Sequence, residues 1–301
     1  MAKYLNLKPV EFSGLSAKRQ AAVKWEGRLL LPKYDGCFCM VGVSNGKIDF
    51  ILSRDGNAVK SMDHIIDDLA VRYPWIATRQ NIVFLGEAWR PGTEFAEISG
   101  AFRRQRPQPQ LGFAVFDLVD RDCAMDAGEP YLYSDQPYHA RLQQLIDCRP
   151  GLCNAHPPMP VYCDNEAHAV RYAKKLKESV GYDGCVAGDP EATYTVSDGH
   201  GEFLKVKPLQ SFTLEVVAVQ VDVGEKTGRA TLALVVRFKD KTCKVGTGFS
   251  NHEAAHWGAH PAVVVGKFIE VACMGVYPGP DGMMREPRFM GFRDDVLKPD
   301  Y

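Results

Sequence analysis

Residues 31–40 read LPKYDGCFCM, which places a lysine between the end of an apolar run and a tight Asp35-Gly36 turn, with a second apolar run following at once. GRLLLPK before the turn reads as a strand. CFCMVGV after it pairs with KIDFILS through Ser44-Asn45-Gly46, where Asn-Gly supplies the positive φ angles of a hairpin turn. Lys33 therefore stands where a strand stops and a turn opens, a position that suits a surface cation or a nucleophile held at the mouth of a pocket. Cys37 and Cys39 alternate along the next strand, share one face and read as packing.

Outward from this stretch, SAKRQAAVKW reads as a short basic helix capped by Ser16, and SMDHIIDDLAVRY as an amphipathic helix. NIVFLGEAW and LGFAVFDLVD are strands, with Glu87 at the end of one and Phe116-Asp117 at the end of the other. QPYHARLQQLIDC and NEAHAVRYAKKLKESVG are helices, the second closed by Gly181, and short strands follow around CVAGDP and FLKVKP. After Lys207-Pro208 the pattern changes: TLEVVAVQVDV, ATLALVVRF, TCKVGTGF, GKFIEVACMGVY and PRFMGF alternate as strands, with one helix between them. Such a series predicts a small barrel of the OB type. The expected fold is α+β in two domains, residues 1–210 built of antiparallel sheets and helices and residues 211–301 an all-β OB-fold barrel.

A chain of 301 residues can bury two cores, and 46% hydrophobic with 24% charged residues is an ordinary globular composition. Lys plus Arg, 36, nearly balance Asp plus Glu, 37, so a polyanion site has to be a local cluster. Lys18-Arg19 and the Arg103, Arg104, Arg106 group of FRRQR are such clusters, suited to phosphate contact without base reading. The N-terminus lacks a secretory apolar core, no apolar run approaches the roughly 18 residues of a membrane span, and the nine cysteines include no CxxC pair. The expectation is a monomeric, cytoplasmic protein with reduced thiols and no membrane partner.

Lys-x-Asp-Gly by itself is a weak signal, but it has ordered company: SRDG with Arg54, LGEAW with Glu87, FAVFDL with Phe116, YDGCVAGDP with Asp183, FLKVKP with Lys205 and Lys207, and REPRFMGFRDD with Arg285, Arg288 and Arg293 in the last strand. Lysines two apart on a strand project to one side, where they can hold phosphate oxygens. Glu87 and Asp183 are carboxylates of the type that holds Mg²⁺. An arginine cluster suits triphosphate because guanidinium forks bind phosphate bidentately.

This ordered series, from Lys33 to Asp295, resembles the covalent nucleotidyltransferases, and within them the compact ATP-dependent DNA ligases of tailed bacteriophages. The resemblance implies an ATP-grasp-like nucleotidyltransferase (adenylation) domain followed by an OB barrel, acting on nicked double-stranded DNA with ATP and Mg²⁺, in a host cytoplasm if the gene is phage-borne. It implies that Lys33 takes AMP from ATP, that the AMP passes to a 5′-phosphate, and that a 3′-hydroxyl then displaces it. By the same resemblance Asp35, Lys205 and Lys207 serve catalysis, Phe116 stacks on the base, and Arg54 contacts nucleotide and nucleic-acid backbone. Arg285 and Arg293 lie in the block that orients pyrophosphate. An RNA ligase, a capping-type guanylyltransferase and a catalytically inactive polynucleotide-end binding protein are the alternatives.

The chain departs from the family pattern at several positions. Phe38 stands where an arginine is common, Asp183 where the block usually begins with Glu, Gly188 where it ends with Lys, Leu31 where an acid or amide is frequent, and Val296 where a closing lysine is expected. Two metal patterns also occur. Cys148, Cys153, His156 and Cys163 match no standard zinc spacing. His252-Glu253-Ala254-Ala255-His256 satisfies HExxH but sits in a short segment between Asn251 and Pro261, which reads as a connecting helix.

Overall fold

Alternation along LLLPKY organises the first part of the molecule. Leu30 packs with Phe12, Trp25 and Ala169, whereas Leu29 and Leu31 face a larger cluster that includes Val41, Phe84 and Phe113. Leu30 is fully buried, and a leucine so placed stabilises the fold by about 1.5–3 kcal/mol. Lys33, two positions beyond Leu31, follows the second face.

The structure is a computed structural model and describes residues 7–122, 131–149, 154–195, 201–223, 230–273, 275–276 and 282–301. It divides into two compact units, Met1–Lys207 and Pro208–Tyr301, three residues before the boundary expected at Ser211.

The first unit opens with β1 (Val10–Glu11), α1 (Ala17–Ala21), β2 (Leu29–Tyr34), β3 (Cys37–Ser44), β4 (Lys47–Ser53), α2 (Ile65–Arg72) and β5 (Ile82–Trp89). It continues with α3 (Phe95–Phe102), β6 (Gly112–Asp122), β7 (Tyr131–Tyr133), α4 (Tyr138–Ile146), β8 (Ala155–His156) and β9 (Val161–Tyr162). It closes with α5 (Glu166–Lys177), β10 (Tyr182–Gly188) and β11 (Phe203–Val206). One sheet has the order β1-β11-β10-β2-β9 and the other β4-β3-β5-β6-β7, with β8 against β6. The pairing is antiparallel except where β1 meets β11 and β8 meets β6.

Local chemistry explains the joints. Asn45 and Gly46 both take positive φ, 49° and 75°, so β3 and β4 are joined by the two-residue turn that Asn-Gly favours. Gly36 is required by proximity: a Cβ there would stand 2.4 Å from the Ala88 carbonyl oxygen, so only glycine lets the turn after Lys33 lie on β5. Ser16 and Asn165 cap α1 and α5 by accepting the N–H groups of Arg19 and His168. The helix expected from Ser61 starts only at Ile65, because Lys60–Met62 is a 3₁₀ turn, and α5 ends at Lys177, before Gly181.

Two of the bulges fall on candidate site residues. Leu85 pairs with Asp117 and Gly86 with Val115, which leaves Phe116 as the extra residue of β6, in mid-strand and not at a strand end. Tyr182 pairs with Tyr34 and Cys185 with Pro32, so Asp183-Gly184 carries one residue too many; Gly184 has φ 111°, and a Cβ on it would meet the Val206 carbonyl oxygen at 2.3 Å.

The second unit holds β12 (Gln210–Val223), β13 (Ala230–Phe238), β14 (Lys241–Val245), α6 (Asn251–Ala259), β15 (Phe268–Cys273) and β16 (Arg288–Phe292). Its strands form one curled sheet, β14-β13-β12-β15-β16, around Leu214, Val236, Trp257 and Phe289. The long β12 serves both wings of the curl and carries a bulge between Val216 and Ala218, and the Phe289 N–H donates to the Thr247 carbonyl at 2.9 Å, drawing the two ends of the sheet together. The unit is a half-barrel with one α-helix, α6, between β14 and β15, as the strand series with one intervening helix predicts. Only Arg288 of the three arginines lies in β16; Arg285 precedes it and Arg293 follows it.

Candidate active site

In the first unit a cavity of about 300 Å³ opens between the two sheets. Leu31 and Lys33 of β2, and Leu85 and Glu87 of β5, line it as pairs two residues apart, while β11 contributes Lys205 with Lys207 one residue past its end. The bulge in β6 lets two successive residues, Phe116 and Asp117, reach the same cavity.

The Lys33 ammonium lies 3.1 Å from Asp183 Oδ2, and Lys207 lies 3.1 Å from the same oxygen. Lys177 of α5 holds Oδ1 at 3.0 Å. Burial pushes the Asp183 carboxyl up, but Lys33, Lys207 and Lys177 outweigh it and hold the group well below the usual carboxylate range. Lys207 also reaches Glu11 at 3.8 Å, where burial raises the carboxyl despite Lys207 and Lys205. The Lys205 amine is pulled below its ordinary value by burial first, then by Lys33. The region is an alternating lattice of cations and carboxylates in which carboxylate oxygens occupy positions that phosphate oxygens could take.

Glu87 differs. Burial drives its carboxyl up to about 7 against the pull of Lys33 and Arg54, and its Oε2 is buried with no hydrogen-bond partner among the described residues. An unclaimed carboxylate oxygen in a cavity lined with lysines fits a hard, oxygen-seeking ion such as Mg²⁺. Asp183 fits as a second ligand only in exchange for its lysines. The described residues contain no group of three or more His, Cys, Asp or Glu that could hold a metal, so phosphate and water would complete the shell.

The aromatic end of the cavity is built from departures. Phe38, at the position of the family's arginine, faces Phe116 with ring centroids 6.2 Å apart, and the Arg54 guanidinium lies 5.2 Å over Phe38. Leu31 is 4% exposed and contributes apolar wall. Four residues that sequence reasoning missed complete the site: Glu11, Lys177, Tyr138 and Tyr194. Their only signal lay in pairing, since none stands in a recognisable block.

A wider cleft of about 760 Å³ shares Lys33, Phe38, Arg54 and Glu87 with the cavity and adds Asp35, Arg103 and Arg104. Arg103 caps α3, and Arg106 lies exposed just beyond without lining the cleft. Arg293 is held within the second unit by Asp295, with Nε to Oδ1 at 2.8 Å and Nη2 to Oδ2 at 2.9 Å, and Arg285 belongs to the same unit.

The metal patterns resolve differently. Glu253 accepts the Ser250 N–H at 2.7 Å and Ser250 Oγ accepts the Glu253 N–H, so HEAAH is the first turn of α6 closed by a capping box. Cys153 lies outside the described residues, and Cys148 and Cys163 are free thiols. No helix among the described residues is long and apolar enough to cross a membrane.

No protein-family profile matches the chain. It is 25% identical over 277 residues to a DNA ligase of Halorubrum lacusprofundi, covering 80% of this chain and 44% of that protein. It is 33% identical over 191 residues to a probable DNA ligase of Mycobacterium sp. strain KMS, covering 59% of this chain and 35% of that protein. The chain thus spans less than half the length of these curated relatives. Among solved structures, a Lig E DNA ligase superposes with a TM-score of 0.60 at 18% identity, over 95% of this chain and all of the other. The ATP-dependent DNA ligase of bacteriophage T7, solved with ATP, gives 0.52 at 15% identity over 96% and 98% of the two chains. The chain has the fold of the ATP-dependent DNA ligases and is similar in sequence to curated DNA ligases.

Proposed function

We propose that the protein is an ATP-dependent DNA ligase that seals nicks in duplex DNA through a covalent lysyl-AMP intermediate. The observation that carries this reading is the Lys33 amine in a cavity lined both by an aromatic pair, Phe116 with Phe38, and by the lysines Lys205 and Lys207. An aromatic face suits a nucleobase and paired lysines suit its phosphates. The DNA ligase relatives and the ligase structures of the same fold support it.

In this reading residues 1–207 form the adenylation domain and residues 208–301 an OB domain. The triphosphate displaces Asp183 from Lys207 and Lys33, the Lys33 ammonium gives up a proton to solvent, and the resulting amine attacks the α-phosphorus: a P–N bond forms and the P–O bond to pyrophosphate breaks. Lys205 and Lys207 hold the phosphate oxygens as charge builds. Lys33 then yields AMP to the 5′-phosphate of a nick, and the 3′-hydroxyl displaces AMP to close the backbone. Glu87 and Asp183 would hold Mg²⁺, which supplies charge neutralisation on the phosphates. Arg54, Arg103 and Arg104 line the cleft that takes the polynucleotide, with Arg106 beside it, and contact its backbone, so affinity falls as salt rises; Asp35 lines the same cleft and serves catalysis. Arg285 and Arg293 serve pyrophosphate orientation once Arg293 leaves Asp295.

Intact mass after incubation with ATP and Mg²⁺ tests this, beside Lys33→Ala and a GTP control. The expected result is an AMP-sized gain with ATP alone, absent in the variant, and sealing of a nicked duplex in preference to single-stranded RNA. A folded, AMP-free protein that gains no mass with either nucleotide would remove the assignment in favour of an inactive end-binding protein.

A further inference from the structure

Phe116 reaches the cavity only because β6 is bulged there, and a bulge leaves backbone groups outside the ladder that something else must satisfy. Helix α4 supplies the partners. Tyr138 Oη donates to the Phe116 carbonyl at 3.3 Å. One turn on, Arg141 clamps the neighbouring Asp117 through two parallel bonds, Nε to Oδ1 at 2.8 Å and Nη2 to Oδ2 at 3.0 Å. Asp117 Oδ1 also accepts the Leu118 N–H at 2.8 Å, and Arg141 Nη1 donates to the Ala192 carbonyl at 3.0 Å, tying the bulge to the segment before Tyr194.

All three side chains are nearly solvent-free, with Arg141 at 1%, Asp117 at 3% and Tyr138 at 3% exposure. A buried ion pair seldom stabilises a fold more than apolar residues of the same volume would, so its presence points to geometry. Arg141 does not line the cavity, and Tyr138 lines it through a ring packed edge-on against Phe203 at 4.8 Å.

We infer that Tyr138 and Arg141 are positioning residues that hold the Phe116 bulge, and so aim the ring that stacks on the nucleotide base. This rests on the reading of Phe116 as the base platform. The hydroxyl of Tyr138 separates base recognition from phosphate binding. The Tyr138 ring packs on Phe203 of β11 and stays in place in Tyr138→Phe, whereas the bond to the Phe116 carbonyl is lost. Lys205 and Lys207 make no hydrogen bond or ion pair with α4 among the described residues.

The test is calorimetric titration of the full chain, with Mg²⁺, against αβ-methylene-ATP, which cannot transfer AMP, and against inorganic tripolyphosphate, which has no base. Tyr138→Phe removes one hydroxyl. The expected result is a loss of about fivefold in affinity for the nucleotide, the size of one hydrogen bond, with tripolyphosphate unchanged within about twofold. In a Phe116→Ala background Tyr138→Phe has no further effect, the mark of two residues acting through one interaction. The double variant Asp117→Leu/Arg141→Met, which removes both buried charges together, shifts the two ligands in the same unequal way; if it does not fold, Tyr138→Phe decides alone. Equal weakening of both ligands, additivity with Phe116→Ala, or wild-type affinities in every variant would overturn the inference while leaving the ligase reading intact. A wild-type chain that binds neither ligand would overturn the ligase reading and this inference with it.

Discussion

Tyr138 occupies the space that a side chain at position 188 would need: a Cβ on Gly188 would stand 2.5 Å from Tyr138 Cε1 and 3.0 Å from Phe203 Cε1. The missing lysine at the end of the YDGCVAG block is thereby matched by an aromatic ring on α4, which fills the void and reaches the Phe116 carbonyl. Gly188 and Tyr138 form one arrangement.

Gly188→Ala tests it. Gly188 has no positive φ, so the substitution acts by contact alone. The expected outcome is a protein destabilised by about 1–3 kcal/mol through overpacking, with nucleotide affinity falling as well, read by urea unfolding beside titration with αβ-methylene-ATP. Wild-type stability and affinity would show that Tyr138 yields freely.

Glu87 makes stability depend on pH in the opposite sense to most carboxylates. Its ordinary value is 4.5 and the folded protein raises it to about 7, so between these values the folded state binds more protons than the unfolded one, and stability falls as pH rises. Glu87→Gln should flatten the decline between pH 5 and 8 in urea midpoints. An unchanged slope would place the proton elsewhere.

Phe38 lies tilted against Phe116, with ring centroids 6.2 Å apart, and the Arg54 guanidinium lies 5.2 Å from the Phe38 ring centroid. Phe38→Leu keeps apolar volume and loses the aromatic face, so nucleotide affinity should drop about threefold to tenfold, as the loss of one aromatic pair and one cation–π contact would dictate. Polynucleotide binding should weaken in parallel, since Arg54 lines both cavities. Retention of both affinities on filter binding would leave Phe38 as filler.

The capping box of α6 makes a fourth prediction. Ser250→Ala removes the acceptor for the Glu253 N–H, and the melting temperature should fall by a few degrees, whereas His252→Ala and EDTA should leave it unchanged. A drop with EDTA would restore HEAAH as a metal site.

Much of the site was legible in the chain because its blocks are local. Lys33 after an apolar strand, Asp35-Gly36 in a turn, and Lys205 two residues before Lys207 declare their positions through period-two alternation and turn chemistry. The Asn45-Gly46 hairpin and the capped starts of α1 and α5 are local in the same way.

Parity failed at Phe116 and Asp183, because each sits in a bulge and a bulge depends on the partner strand. The Lys177–Asp183 and Arg141–Asp117 pairs join residues whose meeting is a matter of sheet order and helix placement, and nothing in either residue's neighbours announces it. By itself the sequence determined which residues could carry phosphate chemistry and the strands they stand on, since propensity, alternation and turns act over a few residues. Only the tertiary structure decided which charges face one another, which strand yields a residue to the cavity and what replaces Phe38's and Gly188's expected cations, because those depend on contacts between distant segments that are settled when the core closes.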